Sequence, residues 1–373
     1  MTAFILGGAR TAFSTWSRGR RGDGGEGGAL SEHDPLDLGA RALKAALERA
    51  AVPGPSLERV VFANMYQAGA HACYGARYVG LWAGAPESAP CLTLSMACGG
   101  GLHALIEAAE DVETGEAELV GTGGTDCASR LRREVFIPSF KDIACGKTIA
   151  ETADEAAREG GLSRRDMDAW ALESHRRALK ARARGFFAEE IVPVDSAIED
   201  DHILMDPTPE HFASSKSVAG SVSEANTHGL VDGASALVGG AERAAKGKKP
   251  LGRILAGAYE AVPPERMAYA SVGAVRKALT KAGLKPGDVD LYEINETFCA
   301  QTLLDMAELG APADKVNVNG GAAAIGHPFS ATGCRLVLTL LLELRRRGAR
   351  YGVAAISVGG GQGVAVVLEA LNT

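Results

Sequence analysis

Residues Ala274 to Thr297 read AVRKALTKAGLKPGDVDLYEINET: an amphipathic helix, a Pro/Gly turn, an acidic spacer and a strand that stops at an asparagine. The same order of pieces occurs at Ala40 to Met65, ARALKAALERAAVPGPSLERVVFANM. Two longer segments match in the same way. PCLTLSMACGGGLHALIEAAEDVETGEAELVGTGGTD, Pro90 to Asp126, and VNVNGGAAAIGHPFSATGCRLVLTLLLELRRRGARYGVAAISVGGGQG, Val316 to Gly363, each give strand, loop with a reactive side chain, helix, strand and glycines. The offset from Asn64 to Asn295 is nearly that from Cys98 to His327, so the chain carries a duplicated α/β unit. Strands alternating with helices predict a parallel sheet with helices on its faces.

Between the halves, from about Cys127 to Val218, the pattern changes. TIAETADEAAREGGLSRRDMDAWALESHRRALKARARGFFAEEIVPVD reads as three helical stretches rich in Ala, Arg and Glu, with Ser163 placed to cap the second. The expected organisation is a first half at 1–126 and 219–250, an inserted, mainly helical lobe at 127–218, and a second half at 251–373. The lobe is expected to close over whatever the duplicated core presents.

Composition narrows the function. The 373 residues are 46% hydrophobic with a net charge of −7, and no long Lys/Arg run exists, which argues against a nucleic-acid surface. SRGRRGDGGEGG, Ser17 to Gly28, is too rich in glycine for a stable element and reads as a solvated loop. The opening MTAFILGGARTAF reads as a first strand and not a secretory leader, and no stretch has the length of a membrane span. Seven cysteines without a CxxC pair suit a reducing compartment, so a cytoplasmic protein without a metal site is expected.

Cys98 sits where an apolar strand gives way to glycines and then a helix. Unpaired N–H groups and the dipole of a helix N-terminus favour a thiolate, which makes this cysteine a candidate nucleophile. His327 lies at the matching corner of the second half. Two packed halves bring the corners face to face, so His327 is a candidate base for the thiol or a donor to an oxyanion. Asn295 has two open readings: a turn residue ending its strand, or an amide that holds a water or a substrate carbonyl.

CGGGLHAL from Cys98, EINETF from Glu293, NVNGGAAAIGHP from Asn317 and SVGGGQG from Ser357 resemble, in order and spacing, the active-site segments of the thiolases. These are acyl-CoA acyltransferases that make or cleave 3-oxoacyl-CoA. The resemblance runs from GGARTAF at Gly7 to the last glycines. It implies an α/β fold with five layers, α/β/α/β/α, no permanently bound cofactor, coenzyme A thioesters as substrates, and a homodimer. It also implies roles: Cys98 becomes acylated, His327 activates it and helps form an oxyanion hole, and Asn295 positions a water there. The N–H groups of Cys98 and Gly359 form a second hole.

Ser357 departs from the pattern, which has a second cysteine at this position to move protons at the substrate α-carbon. A thiol has a pKa near 8.5 and a serine hydroxyl is a weaker acid by several units, so Ser357 does not simply replace it. Other departures surround the same site. The family usually has CGSG where this chain has CGGG, and a His-Met pair where Ala144 and Cys145 stand; Cys145 is either a substitute proton carrier or an inert exchange. LRREVFIPSFKDIACG, Leu131 to Gly146, is shorter than usual. His228 takes the place of a small serine, while Met267 and Phe298 match pocket-lining positions. Two alternatives follow: a decarboxylative, ketosynthase-like acyl transfer that needs no strong base, or a silent thiolase fold kept as a binding subunit.

Overall fold

The computed structural model describes residues 3–16 and 27–371. Most of the arginine- and glycine-rich stretch read above as a loop lies outside these residues. The main strands are β1 (Phe4–Thr11), β2 (Arg59–Ala63), β3 (Cys91–Leu94), β4 (Leu119–Asp126), β5 (Val231–Gly240), β6 (Gly252–Ala261), β7 (Leu291–Ile294), β8 (Tyr351–Val358) and β9 (Gln362–Ala370). The longer helices are α1 (Pro35–Arg49), α2 (Gly75–Trp82), α3 (Gly100–Thr114), α4 (Ile149–Glu159), α5 (Arg164–Ala183), α6 (Ala270–Ala282), α7 (Cys299–Leu309) and α8 (Thr332–Arg347).

The strands follow the order β7-β8-β9-β6-β1-β5-β4-β2-β3. Only Phe4–Arg253 and Ile5–Gly252 join the two runs, so this is two half-sheets meeting at a seam between β1 and β6. The duplication shows in the topology of four strands from each half. In the first half β2 is parallel to β4, β4 antiparallel to β5, and β5 antiparallel to β1. In the second, β7 is parallel to β8, β8 antiparallel to β9, and β9 antiparallel to β6. The partner expected for β3 is reduced to a single parallel bridge between Tyr292 and Val316.

The expected parallel sheet is therefore mixed. The cause is local for β8 and β9: only Gly359, Gly360 and Gly361 separate them, with φ of 82° and 74° at the last two, and so short a connection forces a hairpin. Gly359, whose N–H the resemblance assigns to an oxyanion hole, belongs to this turn.

Leu102, Leu105 and Ile106 of α3 and Leu336, Val337 and Leu340 of α8 pack together with Ile5 and Leu237 of one half-sheet and Ile356, Val364 and Val366 of the other. These two helices form the middle layer. Helices α1 and α2 cover the outer face of the first half-sheet, and α6 lies on that of the second, which gives the five expected layers.

Two of the three expected helices of the inserted stretch form, α4 and α5; the third is a short 3₁₀ turn, Phe186–Glu189. Ser163 caps α5 as read, its hydroxyl accepting from Asp166 N while the Asp166 carboxylate accepts from Ser163 N. Met167 and Trp170 of α5 pack with Phe298 and Cys299 of the second half. Among the described residues, no helix is long and apolar enough to cross a membrane.

Candidate active site

Cys98 lies between β3 and α3, two residues before the helix begins. Ala97 ahead of it has φ of 44°, a left-handed conformation that a residue with a Cβ adopts at a cost of order 1–3 kcal/mol, and this sharp turn presents Cys98 to a cavity. The cysteine is half-buried against Met65 and the aromatic group of Trp16, Tyr66, Phe136 and Phe329. Burial pushes its thiol up to about 12, with the charge of Asp126 adding to the rise. The expectation that the helix N-terminus would favour the thiolate is corrected here, because burial and the charge of Asp126 raise the thiol more than its backbone hydrogen bond lowers it. Cys98 is a thiol at neutral pH and needs a base at the moment it reacts.

The corner carrying His327 is held against that of Cys98 by glycine. A Cβ on Gly101 of α3 would fall 2.4 Å from Ser330 O, and one on Gly333 of α8 would fall 2.2 Å from Leu102 N, so the first turns of the middle helices touch through backbone. Asp126 adds a tie. Its carboxylate accepts from Asn64 Nδ2 (3.1 Å), Tyr66 N (2.8 Å) and Ser330 N (2.8 Å), joining the strand end of one half to the histidine corner of the other.

His327 is fully buried. Its Nδ1 lies 2.6 Å from Thr332 Oγ1, and its Nε2 has no hydrogen-bond partner among the described residues. Burial, helped by His228 and Arg335, holds it well below the ordinary histidine range, so it is neutral. Asn295, also buried, donates from Nδ2 to Thr297 Oγ1 (2.9 Å), and its Oδ1 is without a partner among the described residues.

Cys98 shares a cavity of about 300 Å³ with Met65, Phe140, His228, Thr297, Phe329 and Gly359. A second cavity, of about 460 Å³, shares Phe140, Ile149 and His228 with it and continues past Leu204, Phe212 and Phe298 under the inserted helices. Asn295, His327 and Ser357 are buried and line neither cavity. His327 touches the wall through His228, with ring centroids 5.0 Å apart, and through Phe329, at 5.4 Å. Met267 is buried in the second half's outer core, and Cys145 is partly exposed with its N–H donating to Asp142 Oδ1 (3.2 Å). Neither residue lines either cavity.

The hydroxyl of Ser357 is engaged elsewhere. It donates to Ser271 Oγ (2.8 Å) and accepts from Ser271 N (3.1 Å) at the start of α6, and Ser271 Oγ donates in turn to Asp305 Oδ2 (2.7 Å). Burial pushes Asp305 up to about 8.

Sequence reasoning passed over two acidic residues that build the site: Asp126, just described, and Glu296. The Glu296 carboxylate accepts from Trp170 Nε1 (2.9 Å), Ser174 Oγ (2.8 Å), Asn317 Nδ2 (2.9 Å) and Ala323 N (3.0 Å). It thus ties α5 to the loop that carries Asn295 and to the segment before His327. The position of Glu296 directly after Asn295 was its only signal.

A cysteine at a strand-to-helix corner, a neutral buried histidine at the matching corner of a duplicated half, and a glycine turn beside the sulfur form an arrangement suited to acyl transfer. The family model described as "Thiolase, N-terminal domain" matches residues 5–135 and 126–242, and "Thiolase, C-terminal domain" matches 248–370. The chain belongs to the thiolase family. It is 36% identical over 399 residues to acetyl-CoA acetyltransferase of Shinella zoogloeoides, covering 99% of both chains. It is 33% identical over 398 residues to mitochondrial 3-ketoacyl-CoA thiolase of Homo sapiens, covering 98% of each. A crystal structure of the human mitochondrial enzyme in complex with CoA superposes with a TM-score of 0.93 at 32% identity, over 99% of this chain and 98% of that one. Bacillus anthracis acetyl-CoA acetyltransferase gives 0.92 over 99% of both, also at 32%.

Proposed function

We propose that Cys98 takes an acyl group from an acyl-CoA and passes it to the α-carbon of a second acyl-CoA, or in reverse cleaves a 3-oxoacyl-CoA with free CoA. The observation that carries this reading is the cavity wall that holds Cys98 and Gly359 together, a nucleophile beside a turn whose N–H groups suit a thioester oxygen. In the first step the Cys98 proton passes to His327 Nε2 as sulfur attacks the thioester carbon. Collapse of the adduct breaks the C–S bond to CoA, and the leaving thiolate takes the proton from His327. Asn295, through a water, and the N–H groups of Cys98 and Gly359 hold the two oxyanions. The high thiol pKa and the neutral imidazole suit such a concerted transfer.

The larger cavity, lined in part by Phe298, is the route for the pantetheine arm, with Met267 backing it from the core. The lobe at 127–218 covers that route between halves at 1–126 with 219–250 and at 251–373, and no permanently bound cofactor takes part.

The working form is a cytoplasmic homodimer. Its support is the edge strand β3, which pairs only with β2 among the described residues and exposes Leu92, with exposed Trp82 on α2 packed beside it. All seven cysteines are free thiols, as a reducing compartment favours.

The test is intact-mass spectrometry after mixing with acetyl-CoA. The wild type should gain one acetyl group on Cys98, and Cys98→Ala should gain none while keeping its circular dichroism spectrum. A stoichiometric adduct on the alanine variant would overturn the assignment, and absence of an adduct on the wild type would favour a silent binding subunit.

A further inference from the structure

With Cys98 and His327 committed to acyl transfer, condensation still needs a group that removes a proton from the α-carbon of the second acyl-CoA. Ser357 is poorly placed for it. Along β8, Ile356 and Val358 face the middle helices, so Ser357 faces the other way, toward α6, where Ser271 occupies its hydroxyl. It lines neither cavity.

His228 is placed differently. It lines the wall that carries Cys98 and also the neighbouring larger cavity. Its Nδ1 lies 2.9 Å from the carbonyl oxygen of Thr297. A carbonyl oxygen only accepts, so Nδ1 carries the hydrogen and Nε2 carries the lone pair. That Nε2 is buried and has no hydrogen-bond partner among the described residues. Phe140, Phe298 and Phe329 box the ring at centroid distances of 6.5, 6.3 and 6.3 Å. Among the described residues the ring meets only the carbonyl of Thr297, these three phenylalanines and His327, with no carboxylate against it.

Resting on the acyl-enzyme reading above, we infer that His228 is the catalytic base at the α-carbon, its Nε2 removing the proton that a second thiol removes elsewhere in the family. As Nε2 takes the α-proton, the electron pair of that C–H bond forms the new C–C bond to the Cys98 thioester carbon. Collapse of the resulting oxyanion breaks the C–S bond to Cys98. The proton on His228 then passes to the departing Cys98 sulfur, so nothing beyond the two acyl groups is consumed. In thiolysis the same Nε2–H returns its proton to the departing α-carbon. Burial lowers His228 below the ordinary histidine range, which keeps the base unprotonated at neutral pH.

The experiment follows two signals on one sample of acetyl-CoA: the acetyl adduct on Cys98 by mass, and deuterium entering the acetyl methyl group from D₂O by proton NMR. His228→Gln and the smaller His228→Ser should both still be acetylated on Cys98. Both should lose deuterium exchange by about 10²-fold or more, the usual share of a general base, with kcat for condensation falling in parallel. Exchange at the wild-type rate in either acetylated variant would overturn the inference. So would a rise in KM with kcat retained, the mark of a residue that only shapes the pocket. A wild type that forms no adduct is a separate failure, that of the acyl-enzyme reading.

Discussion

Cys98 and Asp305 show how burial, more than neighbouring charge, sets the chemistry of single residues here. Desolvation is the largest influence on both, raising the thiol to about 12 and the carboxyl to about 8. For Cys98 this means that acylation depends on a base already free of its proton. His327 lies well below the ordinary histidine value of 6.5, so acylation should hold its rate from neutral pH down to below that value and fall only in more acidic solution. Stopped-flow release of CoA across pH 4 to 8 checks it. For Asp305 the consequence is one of stability. A folded pKa near 8 against 3.8 for the free side chain means that the native state binds the proton more tightly. The stability this contributes is complete below 3.8 and is lost as pH rises through about 8. Asp305→Asn should therefore flatten the fall of Tm between those values. A melting series on both proteins gives the answer, and an unchanged slope would place the carboxyl's proton elsewhere.

At the scale of elements, the middle helices depend on two glycines that have no ligand role. The sites a Cβ would take at Gly101 and Gly333 are filled by backbone of the opposite helix corner, and backbone cannot swing aside as a flexible side chain does. Gly333→Ala should cost about 1–3 kcal/mol, as overpacking does. It should also slow acylation of Cys98, because separating α3 from α8 moves the nucleophile away from His327. Urea midpoints together with adduct formation rates test the pair of effects, and a variant with native stability would mean that the corners tolerate spreading. Capping belongs to the same scale but acts locally: the Ser163 cap was visible in sequence because it involves only residues 163 to 166.

At the scale of the whole molecule, β3 leaves one edge of the first half-sheet open, and the dimer proposed above closes it. Leu92→Lys should convert dimer to monomer in light scattering at micromolar concentration, since a charge on an exposed edge opposes strand pairing. A dimer that survives the change would have to use another surface.

The ordered repeat of strand, helix and reactive corner was legible because it rests on periodicity and on short turns, properties of neighbouring residues. The same holds for the strand ends at Asn64 and Asn295 and for the pairing of the corners of Cys98 and His327. Strand direction divides in two: for β9 the three-glycine connection that forces the hairpin stands in the sequence, whereas β5 runs antiparallel after a long connection whose course depends on packing. The state of the Cys98 thiol was not legible, since its desolvation comes from the aromatic cluster around Phe329 and the added rise from the charge of Asp126, all remote in sequence. Ser357 and His228 were both marked as departures, yet only packing decides between them. Strand register turns the serine toward α6, and the carbonyl of Thr297 fixes the imidazole with its lone pair unpartnered among the described residues. Side-chain direction and burial arise from contacts between distant segments, and no window of neighbouring residues contains them.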